Sequence, residues 1–244
     1  MIALIGNVNI FRFCGDMLHV VAIIILLSYI WKSQSVFGIS GKSQILFALV
    51  FTTRYVDLFT SFISVYTNSL KVVYIITSYV TLYLIYIKFR YTYDKSNDTF
   101  RAEILIMSSG VLAVFVNHYF SPFEFCWTFS IYLESVAILP QFFMIIKNGD
   151  VERMIGYYLT AMGSYRALYI MNWMYRYKNE GFYDAIAANS GLLQSILYIM
   201  FLILYSKRND FRLRVIRNQQ KNTLLSEPTL LPQPSRWPGI SMKV

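Results

Sequence analysis

The stretch EFCWTFSIYLESVAILPQ, residues 124–141, is apolar enough to cross a membrane, yet it carries two carboxylates, a tryptophan and a Pro-Gln pair. A charged side chain at the centre of a bilayer costs about 2.5–3.5 kcal/mol on insertion scales, so such residues usually face a cavity or a partner inside a helix bundle. Glu124 and Glu134 therefore predict a polar interior between helices. The rest of the chain should supply the groups that face it.

The composition of the whole chain indicates a membrane protein with several spans. Its 244 residues are 56% hydrophobic and only 14% charged, and its mean hydropathy is positive. Apolar runs of about 17–25 residues, the length needed to cross roughly 30 Å of hydrocarbon, account for nearly everything before residue 207. A soluble domain of this composition would struggle to stay in solution. We therefore predict an all-α membrane protein without a large soluble domain.

Seven apolar segments are predicted to form transmembrane helices, because lipid offers no hydrogen-bond partner to other backbone structures. They cover residues 10–31, 43–65, 72–89, 102–116, 124–146, 154–175 and 183–205. Segments one to three and five to seven suggest two three-helix bundles joined by the weaker fourth segment, related by an axis along the membrane normal. Segment one contains Arg12 and Asp16 and has no small-residue cleavage site after it, which favours an uncleaved helix over a signal peptide.

The distribution of lysine and arginine predicts the orientation of the chain. The loops one–two, three–four and five–six and the tail contain most of these residues: Lys32, Lys42, Lys88, Arg90, Lys95, Arg101, Lys147, Arg153, Lys207, Arg208, Arg212, Arg214 and Arg217. The alternate loops carry chiefly Lys71 and Lys178. The N-terminus is therefore expected in the lumen and the C-terminus in the cytosol. Basic cytoplasmic loops also explain the formal charge of +9 without nucleic acid as a partner.

Three regions follow from these patterns. An N-terminal extension covers residues 1–8, the seven-helix transmembrane domain residues 9–206, and a basic, Pro-rich tail residues 207–244. Four of the six prolines fall in the last 17 residues. The tail is therefore expected to be largely disordered beyond a short basic extension of helix seven.

Metal and enzyme chemistry find little support in the sequence. Cys14 and Cys126 both lie in apolar segments and are better explained as small buried hydrophobes than as a disulfide. Only His19 and His118 could join them, which is too few for a zinc site. Because no nucleophile–base pair stands out, we predict neither an enzymatic activity nor a cofactor.

Polar residues on four predicted helices indicate a binding cavity in the luminal half of the bundle. They are Arg12, Asp16 and His19 on helix one, Arg54 and Asp57 on helix two, Glu124 and Glu134 on helix five, and Tyr165, Arg166, Tyr169, Asn172 and Arg176 on helix six. Local ion pairs on helices one and two, with Arg12 at the membrane surface, are the alternative explanation. The two arginines and the asparagine beside the tyrosines of helix six favour a water-filled cavity.

The charges of this cavity predict the chemistry of its ligand. Arginine presents a planar fork that binds carboxylates with two hydrogen bonds, so four arginines on three helices suit an anionic ligand. Glu124, with Trp127 one turn further on, offers a seat for a cation through charge pairing and the face of the ring. A short acidic peptide with one ammonium group and a free C-terminus fits this description.

Four strings of residues carry a resemblance to a known family: WKSQSVFGISGKSQ (31–44), LFALVFTTRYVDLFTSFIS (46–64), TYDKSNDTFR (92–101) and WTFSIYLESVAILPQ (127–141). From about residue 9 to residue 205 the chain resembles the KDEL receptors, the ER lumen protein-retaining receptors. That family is similar in fold to SWEET and PQ-loop transporters, which agrees with the two three-helix bundles. The resemblance implies that soluble ER proteins are captured by a C-terminal Lys-Asp-Glu-Leu or His-Asp-Glu-Leu signal in the acidic Golgi and released in the neutral ER. It also implies residence in the ER membrane, the cis-Golgi membrane and COPI vesicles.

The resemblance further implies a role for each polar residue of the cavity. For binding the signal, it implies Arg54 and Tyr55 at the terminal carboxylate, Arg12, Asn172 and Arg176 at the acidic side chains, and Asp57, Glu124 and Trp127 at the first residue, with Arg166 and Tyr169 completing the site. His19 looks like the proton sensor, and Glu134 with Tyr165 looks like a hydrogen bond that reorganises on binding. A histidine becomes cationic as the lumen acidifies, which favours a ligand with net negative charge.

The sequence departs from the family pattern at places that bear on sorting more than on binding. Tyr119 and Met200 stand where the family has acidic residues. The tail is longer and richer in arginine and proline than the short lysine-rich tail with which the family engages the COPI coat, so Lys207 and Arg208 are the residues expected to serve here. The alternative function is a SWEET- or PQ-loop-like transporter of a small anionic or zwitterionic solute.

Overall fold

A computed structural model describes residues 8–59, 64–148, 152–181 and 183–226 of the protein. Within these ranges every regular element is helical, which confirms the predicted all-α class. The helices are α1 (Ile10–Ser33), α2 (Gly41–Arg54), α3 (Val65–Tyr83), α4 (Ala102–Phe115), α5 (Pro122–Val136), α6 (Leu139–Asn148), α7 (Arg153–Glu180) and α8 (Ala185–Ser226). A π-helical turn, Leu84–Lys88, continues α3, and short 3-10 turns lie at Val56–Phe59 and Arg90–Thr92.

Among the described residues, four helical stretches are long and apolar enough to cross a membrane, namely Ile10–Ser33, Val65–Lys88, Pro122–Asn148 and Ala185–Lys207. Large apolar side chains are exposed along them, among them Ile24 at 54% and Ile76 at 56%. Outward-facing apolar side chains are what a helix needs where its solvent is lipid. The helix α4 is apolar but has only 14 residues, in agreement with the weak fourth segment of the sequence.

The second predicted segment is shorter in the structure than the sequence suggested. The helix α2 ends at Arg54, where the backbone N–H of Tyr55 donates to the carbonyl of Phe51, and a 3-10 turn follows. The next helix begins earlier than predicted, because Ser64 caps it: the Ser64 hydroxyl accepts a hydrogen bond from the backbone N–H of Thr67 at 3.2 Å. Serine at this position satisfies a helix N–H that has no partner within the helix.

The fifth predicted segment is broken into α5 and α6. Pro140 causes the break, since it has no backbone N–H and its ring would clash with the carbonyl of Val136 in a continuous helix. The N–H of Gln141 donates instead to the hydroxyl of Ser43 at 3.0 Å, and its side-chain oxygen accepts from the N–H of Ser40 at 2.8 Å. Gln141 is fully buried. The Pro-Gln pair therefore ties the break to the start of α2.

The most extensive packing between helices joins α1 to α7, and α5 packs against both α2 and α4. Gly15 permits the close approach of α1 to α7, because a Cβ atom at this position would lie 2.9 Å from the ring of Tyr169. The next residue, Asp16, is thereby brought within reach of the Tyr169 hydroxyl. All the residues of this packing lie in one compact unit, which ends at Phe201, while the chain from Leu202 onward forms a second unit.

The expectations for the C-terminal tail and for the burial of the cysteines differ in part from the structure. The helix α8 continues to Ser226, well beyond a short basic extension, and residues 227–244, expected to be disordered, lie outside the described residues. Both cysteines are free thiols, but Cys14 is exposed and Cys126 half-buried. The expectation that both are buried is wrong for Cys14, because its side of α1 faces outward rather than toward α7.

Candidate ligand-binding cavity

A polar cavity of about 290 Å³ lies at the C-terminal end of α2, between α1, α5, α7 and α8. Eight of the ten residues predicted to bind the ligand line it: Arg12, Arg54, Tyr55, Trp127, Arg166, Tyr169, Asn172 and Arg176. Glu134, predicted as a coupling residue, lines it too. The structure thus brings side chains from four separate predicted helices to one place.

Glu134 is the centre of the charge network at this cavity and is 3% exposed. One of its oxygens accepts a hydrogen bond from the Tyr165 hydroxyl at 2.9 Å and forms an ion pair with Arg166. The other oxygen forms an ion pair with Arg54. The predicted contact between Glu134 and Tyr165 is present, while the pairing with Arg54 was not predicted. Two guanidinium groups on one carboxylate leave a net positive charge at this end of the cavity.

Arg54 keeps a donor that no described residue accepts. Its Nη1 pairs with Glu134 and its Nε donates to the hydroxyl of Ser130 at 3.1 Å. Its Nη2 is buried and has no hydrogen-bond partner among the described residues. An unsatisfied buried donor costs about 1–3 kcal/mol, and more when the group is charged. Arg54 lines the cavity, so an acceptor that reached this nitrogen would remove the cost.

Asp16 is the centre of a second polar cluster on α1. Its carboxylate accepts hydrogen bonds from the hydroxyls of Tyr169 and Tyr66, the latter at 2.9 Å. The ion pair with Arg12 that the sequence suggested is present but loose, at 4.0 Å. Because tyrosines satisfy most of the carboxylate, the guanidinium of Arg12 remains available to the cavity that it lines.

Asn172 is held in place by the start of α1. Asn9 caps this helix: its side-chain oxygen accepts from the backbone N–H of Arg12 at 2.9 Å, and its amide donates to the Asn172 oxygen at 2.6 Å. Asparagine is a preferred N-cap residue, so the cap could have been found in the sequence, although the contact with Asn172 could not. Further along α7, Arg176 forms an ion pair with Glu180 at 2.8 Å.

Asp57 lies in the 3-10 turn after α2, outside the lining of the cavity. Its carboxylate forms an ion pair of 2.6 Å with Lys71, which is 6% exposed. The lysine also lies 5.9 Å from the centre of the Tyr55 ring. The sequence left open a local ion pair between Arg54 and Asp57. The structure forms other ion pairs instead, because each of these residues has its partner on a different helix.

The second predicted carboxylate of the cation seat, Glu124, also lies outside the lining. It is buried, and it accepts a hydrogen bond from the hydroxyl of Thr128 at 3.1 Å, one turn along α5. Trp127 does line the cavity, and its ring lies 6.1 Å from that of His118. Of the predicted cation seat, the ring of Trp127 lines the cavity, whereas the carboxylates of Asp57 and Glu124 do not.

His19 lies beside the Glu134 network rather than in the lining of the cavity. Its ring stacks on that of Tyr165, with centroids 4.2 Å apart, and on that of Tyr74, with centroids 4.6 Å apart. Glu134, Arg166 and Arg54 act on it electrostatically. The imidazole thus contacts the same tyrosine whose hydroxyl donates to Glu134.

The contribution of α8 to the cavity was not predicted from the sequence. Ser190 and Gln194, one turn apart, line the cavity. Gln194 is 1% exposed, and its amide nitrogen has no hydrogen-bond partner among the described residues. A serine and a glutamine four residues apart in an apolar run share one face of a helix. That spacing is the signal that could have identified them.

The fold and the cavity define the class of the protein: an all-helical membrane protein whose bundle surrounds an arginine-rich cavity suited to an anionic ligand. The family model described as ER lumen protein retaining receptor matches residues 35–176. The chain is 62% identical to ER lumen protein-retaining receptor 2 of Gallus gallus, 60% to that of Homo sapiens and 62% to that of Danio rerio, each over 197 residues that span 81% of this chain and 93% of the relative. The chain belongs to the ER lumen protein-retaining receptor family, which confirms the resemblance to the KDEL receptors.

Proposed function

We propose that the protein is a retrieval receptor for soluble ER proteins that end in a Lys-Asp-Glu-Leu or His-Asp-Glu-Leu signal. It binds the signal in the acidic Golgi, travels to the ER and releases its cargo at neutral pH. The observation that carries this proposal is the buried Nη2 of Arg54, an unsatisfied donor at a cavity that other guanidinium groups also line. The relatives are named as ER lumen protein-retaining receptors, and these names also support the proposal. A binding function of this kind requires no enzymatic activity and no cofactor.

The orientation and the arrangement of the helices belong to this proposal. The cavity faces the lumen, with the N-terminus luminal and the C-terminus cytoplasmic, as the lysine and arginine distribution favours. The helices α1, α2 and α3 form one bundle of three spans. The helices α5–α8 form a second bundle of three spans, in which α5 and α6 are the two halves of one span. The helix α4 joins the two bundles. In the cytosol, Lys207 and Arg208 recruit the COPI coat. Lys207 is exposed, and the side chain of Arg208 lies outside the described ones.

The terminal carboxylate of the signal binds Arg54, and its acidic side chains bind Arg12 and Arg176 with help from Asn172. The binding of one carboxylate by Arg54 Nη2 turns an unsatisfied buried donor into a charge-assisted hydrogen bond. Such a bond contributes about 1.5–3 kcal/mol. The free C-terminus is therefore the part of the signal that the cavity distinguishes best from an internal peptide segment.

The cation at the start of the signal binds near Trp127 and Asp57. Asp57 already has a cationic partner, Lys71, at 2.6 Å. An incoming lysine or histidine therefore shares this carboxylate with Lys71 or displaces it. Glu124 lies outside the lining of the cavity and accepts a hydrogen bond from Thr128, so binding at this end requires side-chain movement, whereas Arg54 already lines the cavity.

His19 supplies the pH dependence of binding. An unperturbed histidine changes charge near pH 6.5, and the protonated ring favours an anionic ligand. The charged groups that act on it are Glu134 from α5, Arg54 from α2 and Arg166 from α7. Its ring contacts two tyrosines and a phenylalanine, which carry no charge. Because a ligand carboxylate changes the charge balance at Arg54, binding and protonation of His19 are coupled.

The free-acid and C-terminally amidated forms of a peptide ending in Lys-Asp-Glu-Leu test the proposal. We expect the free acid to bind the purified receptor about 10- to 100-fold more tightly at acidic pH, the equivalent of one charge-assisted hydrogen bond. We also expect both peptides to bind more weakly at neutral pH. A peptide with the last four residues in reversed order is the matched control for net charge. Equal affinity of acid and amide would contradict the role of Arg54.

A further inference from the structure

A second cavity, of about 750 Å³, lies at the opposite end of α2 from the ligand cavity. Lys42, at the start of α2, contributes to its lining, and Arg54 ends the same helix, which places the two cavities about 18 Å apart along the helix axis at 1.5 Å per residue. The loop between α3 and α4 and the first turns of α4 complete the walls. In the proposed orientation, this cavity opens at the cytoplasmic surface of the membrane.

Three cations line this second cavity: Lys42, Arg90 and Lys95. Arg90 and Lys95 are exposed, and none of the three forms an ion pair with a carboxylate in the described part of the chain. The ammonium of Lys42 donates to the backbone carbonyl of Phe100 at 2.7 Å, which leaves two of its three donors. Cations gathered at a cavity without ion-pair partners favour an anionic ligand.

The carboxylates of the same lining do not cancel these charges. Asp98 is 2% exposed, and it accepts hydrogen bonds from the hydroxyls of Ser40 at 2.9 Å and Tyr93 at 2.7 Å and from the N–H of Lys42 at 3.1 Å. Burial raises the pKa of Tyr93, so its hydroxyl remains a donor to Asp98. Glu103 is exposed in the first turn of α4 and opposes the cations at the rim. Three cations against two carboxylates leave a positive excess.

Aliphatic side chains form part of the remaining lining of the cavity, beside Tyr86 and Thr99. Ile45 and Leu46 of α2 face it, as do Ala102 and Ile106 of α4. Ile45 is 41% exposed, so its aliphatic side chain is accessible to a ligand. A cavity with cations at one end and aliphatic side chains at the other matches a phospholipid better than a soluble anion, which has no apolar part.

We propose that this cavity binds the headgroup of an anionic phospholipid of the cytoplasmic leaflet, with Lys42, Arg90 and Lys95 at its phosphate groups and Ile45 and Ile106 beside its acyl chain. Basic pockets between transmembrane helices on the cytoplasmic side are known to bind such headgroups. The site is separate from the signal-binding cavity and rests only on the proposed orientation. Because its walls come from α2, from the π-helical turn and loop after α3, and from α4, the bound lipid would hold this loop against α2.

The test uses the full-length receptor in phosphatidylcholine nanodiscs that contain a small fraction of phosphatidylinositol phosphate, with retained lipid measured by native mass spectrometry. We expect the receptor to retain the phosphoinositide in preference to phosphatidylcholine. In the double variant R90Q/K95Q, retention should fall about a hundred-fold, as two charge-assisted hydrogen bonds are lost. The matched control is K32Q/R101Q, which removes two exposed cations of the same surface that lie outside the lining and should lose less than about ten-fold because exposed charges are screened.

Three outcomes would overturn the proposal. Equal retention of the phosphoinositide and phosphatidylcholine would show that the cavity does not select an anionic lipid. Equal losses of phosphoinositide retention in the two double variants would indicate diffuse attraction to the surface instead of binding in a pocket. Binding of the water-soluble inositol phosphate headgroup as tightly as the whole lipid would identify a soluble anion as the ligand. Signal-peptide binding at acidic pH, measured on the same samples, shows that each variant is folded, and its failure in the wild type would count against the retrieval function and not against the lipid site.

Discussion

Replacing Glu134 by glutamine tests the charge network of the ligand cavity. In the wild type, this carboxylate is 3% exposed and forms ion pairs with Arg54 and Arg166. Glutamine keeps the size of the side chain but leaves two guanidinium groups without a counter-charge. Removal of one partner of a buried ion pair costs about 3–5 kcal/mol. We therefore expect E134Q to lose about that much in the free energy of unfolding.

Thermal unfolding of the purified receptor in nanodiscs, followed by tryptophan fluorescence, measures this loss. For a domain of 150–250 residues, a change of 1 kcal/mol shifts Tm by about 2–4 °C, so the Tm of E134Q should fall by about 6–20 °C. The matched control is E103Q. Glu103 is exposed and forms no ion pair among the described residues, so its replacement should shift Tm by about 2 °C or less.

The same unfolding measurement can be repeated in the presence of an acidic signal peptide. Glu134 and the terminal carboxylate of the ligand share Arg54, so the variant offers the peptide an uncompensated guanidinium. A peptide at about 100 times its Kd stabilises a receptor by about 2.7 kcal/mol, and at one fixed peptide concentration E134Q should gain more stability than the wild type. A variant that unfolds at the wild-type temperature, or that gains no more than the wild type from the peptide, would refute this account of the network.

Three further predictions follow from the fold and the proposed function. H19A should flatten the pH dependence of peptide affinity between about pH 5 and 7.5, where histidine changes charge, whereas the wild type should bind more tightly as the pH falls; an unchanged slope contradicts the role of His19. G15A should destabilise the receptor by about 1–3 kcal/mol, because the new Cβ atom would lie 2.9 Å from the ring of Tyr169. The control is G110A, whose Cβ atom would meet nothing within 4 Å and which should not destabilise the receptor. Equal effects of the two variants would argue against close packing of α1 on α7. In sealed vesicles, the receptor should bind labelled signal peptide without accumulating it, and accumulation would favour the transporter alternative.

Most of the fold could be predicted from the sequence. Long apolar runs determine helices in a membrane, because the backbone has no other way to satisfy its polar groups in lipid. The helix bounds differ from the prediction where a single side chain decides them. Ser64 starts α3 early by capping it, and Pro140 divides α5 from α6. Both are local signals, but the sequence alone does not show that Ser43 accepts the N–H freed at the break.

The candidate site, like the fold, could be predicted from the sequence only in part. The sequence by itself identified most of the charged residues that line the cavity, because an ionisable side chain in an apolar run needs a partner or a cavity, but it missed Ser190 and Gln194 and the burial of Lys71. Only the tertiary structure decided the pairs: Arg54 with Glu134, and Asp57 with Lys71. The physical reason is that charge pairing depends on where helices distant in sequence cross, and helical periodicity specifies the face of a residue but not the helix that covers it.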